Sequence, residues 1–280
     1  MAAITPWNYP LYTTLAKDGP ALAAGNTVIL KPAPQSPWYA TLIAEVVVRE
    51  TDLQPGVLNI LPTSDNSLAE RLSTDPRVDM VHFTGSTAVD RTIMRNAASH
   101  IGRVSLERGG RSANIILDDA PLTDLVPLAA GMVCINAGQG RVLPTRLLVP
   151  IDRWDEAVEL ATFAYQNIPV GDPRDPVAVQ GPQVSAVQQH CVLDYIRRGR
   201  DDGATVLVGG NRPAGMSTGY FVEPTLFADV DPYSTIAQDE IFGPVLCLIP
   251  HRGDDDAIRI ANCTPYGLAG SIWSADTTAR

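Results

Sequence analysis

Residues 79–87, Asp79-Met80-Val81-His82-Phe83-Thr84-Gly85-Ser86-Thr87, run from an apolar stretch into a Thr-Gly-Ser junction. Asp79–Phe83 reads as a strand, and the residues after the junction, through about His100, as a helix. The same alternation continues upstream. Thr27–Leu30 (TVIL) is predicted as a buried strand, and Pro37–Asp52 as a helix with apolar spacing at Leu42, Ile43, Val46 and Val47 and Ser36 as its N-cap. Pro55-Gly56 is a turn, Val57–Leu61 a strand and Leu68–Leu72 a short helix. Downstream, Arg103–Leu106 and Ile115–Leu117 read as strands. The order β-α-β-α-β-α-β argues for one parallel, doubly wound sheet of the Rossmann-like kind.

The second half repeats the style. Helices are predicted over Leu125–Cys134, Arg153–Gln166, Val184–Arg200 and Asp255–Cys263, and strands over Arg146–Val149, Ala204–Val208 and Val245–Ile249. The glycine pair Gly109-Gly110 lets the chain change direction and is placed at a boundary, giving a dinucleotide-binding domain over 1–109 and a catalytic α/β domain over 110–280. A length of 280 residues suits two domains.

Composition narrows the function classes. Hydrophobic residues make up 45% and charged residues 19%, which is globular rather than disordered. A net charge of −10 without a basic cluster speaks against nucleic acid or an anionic membrane surface as partner. The N-terminus shows no basic segment before an apolar run, and no stretch reaches the roughly 18 apolar residues of a membrane helix, so a cytoplasmic location is expected. Cys134, Cys191, Cys247 and Cys263 form no CxxC pair and are expected to be reduced and mostly buried. The four histidines are isolated from one another, and no metal is assigned.

Four places could carry chemistry. Gly85-Ser86 at a strand-to-helix junction suits a phosphate, although on this signal alone a plainly capped helix is the favoured reading, and neither a GxGxxG fingerprint nor a P-loop is present. Lys31 directly follows a strand, where open α/β sheets bind ligands; a solvated surface lysine is the alternative. Glu107 at a strand end could be a general base, or could pair with Arg108 or Arg111. The Gly-rich loop Asn136-Ala137-Gly138-Gln139-Gly140-Arg141 follows an apolar helix and is expected near a core.

Taken together, six segments in one order resemble the aldehyde dehydrogenase family. They are Pro6-Trp7-Asn8-Tyr9-Pro10, the stretch from Pro20 to Pro32, Phe83-Thr84-Gly85-Ser86-Thr87, the stretch from Leu106 to Ser112, Asn136-Ala137-Gly138-Gln139, and the stretch from Glu240 to Val245. The resemblance implies oxidation of an aldehyde with NAD(P)+ and water to a carboxylic acid. A cysteine thiolate attacks the aldehyde, hydride leaves to the nicotinamide, and a glutamate activates the water that hydrolyses the thioester. By position, Asn8 is similar to the oxyanion-binding asparagine and Glu107 to the general base. Lys31 is similar to the lysine on the adenosine ribose, Gly85 and Ser86 to the pyrophosphate turn, and Gly109 to a cofactor-contacting glycine. Glu240 and Phe242 match the nicotinamide-side residues, and Thr5, Pro6 and Trp7 the cleft wall.

The departures matter as much. The nucleophilic cysteine of the family falls two residues after the glutamine, where this chain has Arg141. A guanidinium is a permanent cation with no lone pair for attack, so the resemblance implies a chain without turnover; an Arg141–Glu107 ion pair would also remove the base. The alternative reading is a non-catalytic nucleotide-binding remnant, or a protein that associates with an intact paralogue. Pro34 stands where NAD-specific members carry a glutamate, which leaves NAD and NADP both open. Asp90 stands where a glycine is frequent. Relative to the family the chain is expected to lack both ends, including most of the oligomerisation segment, so a homo-oligomer would be weakened and stability marginal.

Overall fold

A computed structural model describes residues 1–276. The chain forms two compact units, Met1–Arg108 and Gly109–Arg280.

Unit 1 carries one five-stranded sheet. Its elements, in chain order, are β1 (Ala2–Ile4), α1 (Pro10–Ala23), β2 (Val28–Lys31), α2 (Trp38–Glu50), β3 (Leu58–Ile60), α3 (Asn66–Thr74), β4 (Met80–Thr84), α4 (Thr87–Ala98) and β5 (Arg103–Glu107). Strand order is β3-β2-β1-β4-β5, all parallel, with Ile4 in register with both Lys31 and Phe83, and Thr84 with Glu107. Separate apolar clusters cover the two faces: Ala2, Ile4, Val81, Phe83 and Ile93 on one, Ala3, Val28, Leu30 and Ala40 on the other. That two-sided burial is why these strands read as near-continuous apolar runs. β1 at the centre and α1 beside it were not singled out by periodicity. β1 is three residues long, and α1 contains Gly19 and Pro20, which mask a helical pattern.

Three expectations for this unit are corrected. Ser36 does not cap α2; Pro37 holds the N-cap position and no side chain bonds there. α3 is longer than expected because the Asp65 carboxylate accepts from the Ser67 N–H at 2.8 Å and fixes its start. Lys31 is the last residue of β2 rather than the residue after it.

Unit 2 contains β6 (Ala113–Ile116), α5 (Leu122–Cys134), β7 (Arg146–Pro150), α6 (Trp154–Gln166), α7 (Ala186–Asp201), β8 (Thr205–Val208), β9 (Thr225–Ala228), α8 (Thr235–Gln238), β10 (Val245–His251), α9 (Asp254–Ala261) and β11 (Gly270–Trp273). Its sheet has the order β11-β6-β7-β10-β9-β8, parallel except for the β8–β9 edge pair. The strand predicted at Ile115–Leu117 therefore belongs to this second sheet, not to the first. β9 and β11 were not foreseen, since each is four residues long without alternation. Two large apolar clusters flank this sheet. Cys134 and Cys247 are buried and Cys263 partly so, but Cys191 on α7 is exposed, against the expectation of mostly buried thiols. Among the described residues no helix is long and apolar enough to cross a membrane.

Candidate active-site and cofactor residues

In unit 1 the parallel register gathers the candidates at one sheet edge. Thr5–Asn8 follow β1, Lys31 ends β2, Gly85 and Ser86 follow β4, and Glu107 ends β5. Successive connections run outward in opposite directions from β1 and β4, so these strands flank the topological switch point, where a crevice opens in doubly wound sheets.

Each residue there has a definable environment. Thr5 is buried, and its hydroxyl shares a hydrogen bond of 2.9 Å with Tyr39; Thr14 joins the same hydroxyl group at 3.3 Å. This triad ties β1, α1 and α2 together, so the Thr5 side chain is a structural fastener for the turn carrying Pro6, Trp7 and Asn8, which are half-buried. Lys31 is buried, and burial pulls its ammonium below the ordinary lysine range while Asp65 opposes the shift. Of its two readings, the surface-lysine one is thereby ruled out. Ser86 is the N-cap of α4, exposed, with extended backbone and no side-chain capping bond. The first turn of α4 thus presents N–H groups without a side-chain cap, which suits an anion, although Asp90 in that turn is a negative charge acting the other way. A Cβ on Gly85 would overlap the Phe83 ring, which would have to move aside for any larger residue.

Glu107 has polar neighbours on the strand beside it and on α1. Thr84 Oγ1 donates to Glu107 Oε2 at 2.8 Å, and Lys17 Nζ lies 3.6 Å from Oε1. His82 Nε2 is also 3.6 Å away, but burial and Lys17 lower the histidine's pKa, so it is a neutral neighbour and not an ion-pair partner near pH 7. Lys17 is buried on α1 and was missed by sequence reasoning. Nothing in the local pattern marks it, because ninety residues separate it from Glu107 and only the packing of α1 beside the sheet brings them together. The Glu107 side chain is itself about half exposed.

In unit 2 the loop after α5 is built on unusual backbone. Asn136, Ala137 and Gly138 all have left-handed φ, at 51°, 53° and 74°. For two non-glycine residues this costs energy that packing must over-determine. The restraints are visible. Gln183 Nε2 donates to the Ala137 carbonyl at 2.9 Å, Gln139 Nε2 to the Asn136 carbonyl at 2.9 Å, and the Val184 N–H to Gln139 Oε1 at 2.9 Å. A Cβ on Gly138 would overlap the Gly243–Pro244 backbone. Arg141 follows this loop, half-buried. Glu240 Oε1 accepts from the Gly110 N–H at 3.1 Å, and Gly109 lies so close that a Cβ would strike the Glu240 carboxylate. Burial raises the pKa of Glu240, opposed by the Gly110 bond and the charges of Arg141 and Arg111. Phe242, at φ 57°, is held by Gln188 Nε2 donating to its carbonyl at 2.9 Å. Unit 2 therefore brings Gly109, Glu240 and the Arg141 loop into one network, and Phe242 onto the strained turn beside it.

One parallel sheet with candidate ligand residues at its switch point, and one mainly parallel sheet with a strained loop after an apolar helix, define an α/β protein of two units. Comparison with known proteins makes this specific: a sequence profile of the aldehyde dehydrogenase family matches residues 1–280, and the chain belongs to that family. It is 43% identical over 272 residues to 3-succinoylsemialdehyde-pyridine dehydrogenase of a Pseudomonas species, covering 97% of this chain and 57% of the relative. It is 42% identical over 276 residues to geranial dehydrogenase of Castellaniella defragrans, covering 99% and 57%. Among solved structures it superposes on a Mycobacterium tuberculosis aldehyde dehydrogenase complexed with NAD+ with a TM-score of 0.96 at 46% identity, covering 99% of this chain and 57% of that one. A mutant of aldehyde dehydrogenase C from Pseudomonas syringae, complexed with NAD+ and octanal, gives 0.97 at 40% identity, with the same two shares covered. The chain thus spans a little over half the length of the relatives it matches.

Proposed function

We propose that this chain binds a nicotinamide dinucleotide, NAD+ or NADP+, and does not itself oxidise aldehydes. The observation that carries the first half is the parallel register, which sets Thr5, Lys31 and Ser86 at one edge beside the switch point. In this reading residues 1–109 are the dinucleotide-binding part and 110–280 the catalytic part. The α4 N-terminus with Gly85 and Ser86 holds the pyrophosphate, and the buried Lys31 amine donates to the adenosine ribose. Thr5, Pro6 and Trp7 wall the cleft. Gly109, Glu240 and Phe242 of unit 2 are taken as nicotinamide-side residues from the family resemblance alone, and Glu240 already accepts from the Gly110 N–H. Structural relatives solved as complexes with NAD+ support this choice of ligand. When bound, the nicotinamide would supply the hydride acceptor.

The second half rests on Arg141. Turnover in the family needs a thiolate at this position, and a guanidinium can neither attack a carbonyl nor leave from an acyl group. Asn8 and Glu107 keep the residue types for an oxyanion donor and a general base. Glu107 keeps its hydrogen bond from Thr84. Neither replaces a nucleophile. Cys134 does not substitute, because it is buried in an apolar cluster and burial pushes its thiol up to about 12.

Thermal melts of the purified chain with and without NAD+ and NADP+ test the binding half. A ligand at a hundredfold excess over Kd adds about 2.7 kcal/mol to the folded state. The expected result is a cooperative melt that rises with one or both dinucleotides. An unmoved melt, or no cooperative transition, overturns the proposal. Aldehyde-dependent formation of NADH or NADPH by the unmodified chain would overturn the other half.

A further inference from the structure

In unit 1, β3 runs parallel to β2 with Ile60 opposite Leu30, and the Leu61 N–H donates to the Leu30 carbonyl at 2.8 Å. The segments that leave these two strands therefore start side by side, at the edge that carries Lys31. The one after β2, Pro32-Ala33-Pro34-Gln35-Ser36-Pro37, has no charged residue. The one after β3, Leu61-Pro62-Thr63-Ser64-Asp65, has a single charge, Asp65.

Asp65 is exposed but fixed. Its Oδ1 accepts from the Ser67 N–H and its Oδ2 from Ser67 Oγ, both at 2.8 Å, and its own N–H donates to Thr63 Oγ1 at 3.0 Å. The two Ser67 bonds favour the ionised form and hold the carboxyl below the usual carboxylate range, so Asp65 is a full negative charge near pH 7. Lys31 is the opposite case. Its side chain is buried, and among the described residues its ammonium has no hydrogen bond or ion pair. Burial lowers its pKa and the charge of Asp65 opposes that shift, so the two groups act on each other without forming an ion pair.

A lysine donor at this edge of a doubly wound sheet suits either a sugar hydroxyl or a phosphate oxygen. Asp65 separates the two. A phosphate monoester carries about −1.5 to −2 near pH 7. It is attracted by Lys31 and repelled by a carboxylate that cannot swing away, because both oxygens are committed to Ser67. A neutral hydroxyl feels no such repulsion. Discrimination against a competitor by a fixed like charge is a common source of specificity.

We propose that Asp65 makes the adenosine end of this site selective for NAD+ over NADP+, by setting a fixed negative charge beside Lys31 that repels a 2′-phosphate. The inference rests on the dinucleotide reading above and adds which of the two dinucleotides is taken.

The test is calorimetric titration of the full chain with NAD+ and with NADP+, at about 0.02 M and about 0.5 M salt. Asp65→Asn removes the charge and keeps an oxygen that can accept from the Ser67 N–H, so the cap on α3 is retained. The parent is expected to bind NAD+ at least about tenfold more tightly than NADP+ at low salt, with the gap narrowing at high salt. In Asp65→Asn, NADP+ affinity is expected to rise about fivefold or more while NAD+ affinity stays within about twofold. A purely structural role for Asp65 would move both affinities together. Equal affinities in the parent, a preference for NADP+, or an unchanged ratio in Asp65→Asn would overturn this inference and leave the dinucleotide reading standing. Binding of neither nucleotide would overturn that reading and this inference with it.

Discussion

The carboxyl edge of the unit 1 sheet and the loop after α5 in unit 2 are organised on different principles. At the sheet edge, position comes from register: Ile4 opposite Lys31 and Phe83, Thr84 opposite Glu107. Each side chain is delivered by its own strand, so any one can change without moving the rest. In the loop, position comes from conformation. Three successive left-handed residues are locked by Gln139, Gln183 and the Gly243–Pro244 backbone. None of these restraints uses the side chain at 141. On the function proposed above, these restraints let the loop keep its frame with Arg141 in place of the family's thiol.

The largest test of that contrast is Arg141→Cys. If the frame is independent of residue 141, the new thiol should be alkylated by iodoacetamide at least tenfold faster than Cys134, whose thiol burial pushes up to about 12. Mass spectrometry of the modified peptides reads this directly, and equal rates would show that the loop had lost its shape. Next in size is Gly138→Ala. Its φ of 74° and the missing space for a Cβ predict a loss of about 3 kcal/mol or more in chemical denaturation. A loss under 1 kcal/mol would mean the loop is far softer than its packing implies.

On the unit 1 side, Asp18 is buried on α1 with neither carboxylate oxygen hydrogen-bonded, and burial raises its pKa to about 6 against the opposing pull of Lys17. The folded state therefore holds this proton more tightly than the unfolded chain does. Stability contributed by the protonated form is complete below the unfolded pKa near 3.8 and is lost as pH rises through about 6. Asp18→Asn should remove that loss and be more stable at pH 7.5 by up to about 3 kcal/mol, with a flatter stability profile between pH 4 and 7. A variant that melts no higher than the parent at pH 7.5 would contradict it. The smallest effect expected is from Asp65→Ala, which deletes the α3 cap and should cost about 1 kcal/mol by the same denaturation measurement. An effect as large as that of Gly138→Ala would erase the contrast between register-built and conformation-built regions.

Much of this architecture was legible in advance. The runs around Val28–Lys31 and Met80–Thr84 are mostly apolar because both faces of a parallel sheet are covered, and that pattern is local. The Thr84-Gly85-Ser86 junction was legible because an apolar run gives way there to a helical pattern. β1 was not legible, although it is the centre of its sheet, because three residues cannot display a period. Nor was the pairing of β6 with β7 and β11, since strand partners are chosen by distant segments.

Residue types at fixed spacing, set by the sequence alone, determined the family, the alternation of strands and helices, and the presence of Arg141 two residues after Gln139. Those are properties of covalent order and side-chain chemistry. Tertiary structure alone decided that Lys17 stands 3.6 Å from Glu107 across ninety residues, and that Lys31 is buried rather than solvated. It alone decided that the charge of Asp65, after β3, acts on Lys31 at the end of β2. Proximity between distant residues and the desolvation of charge arise only when elements pack, and no local pattern encodes either.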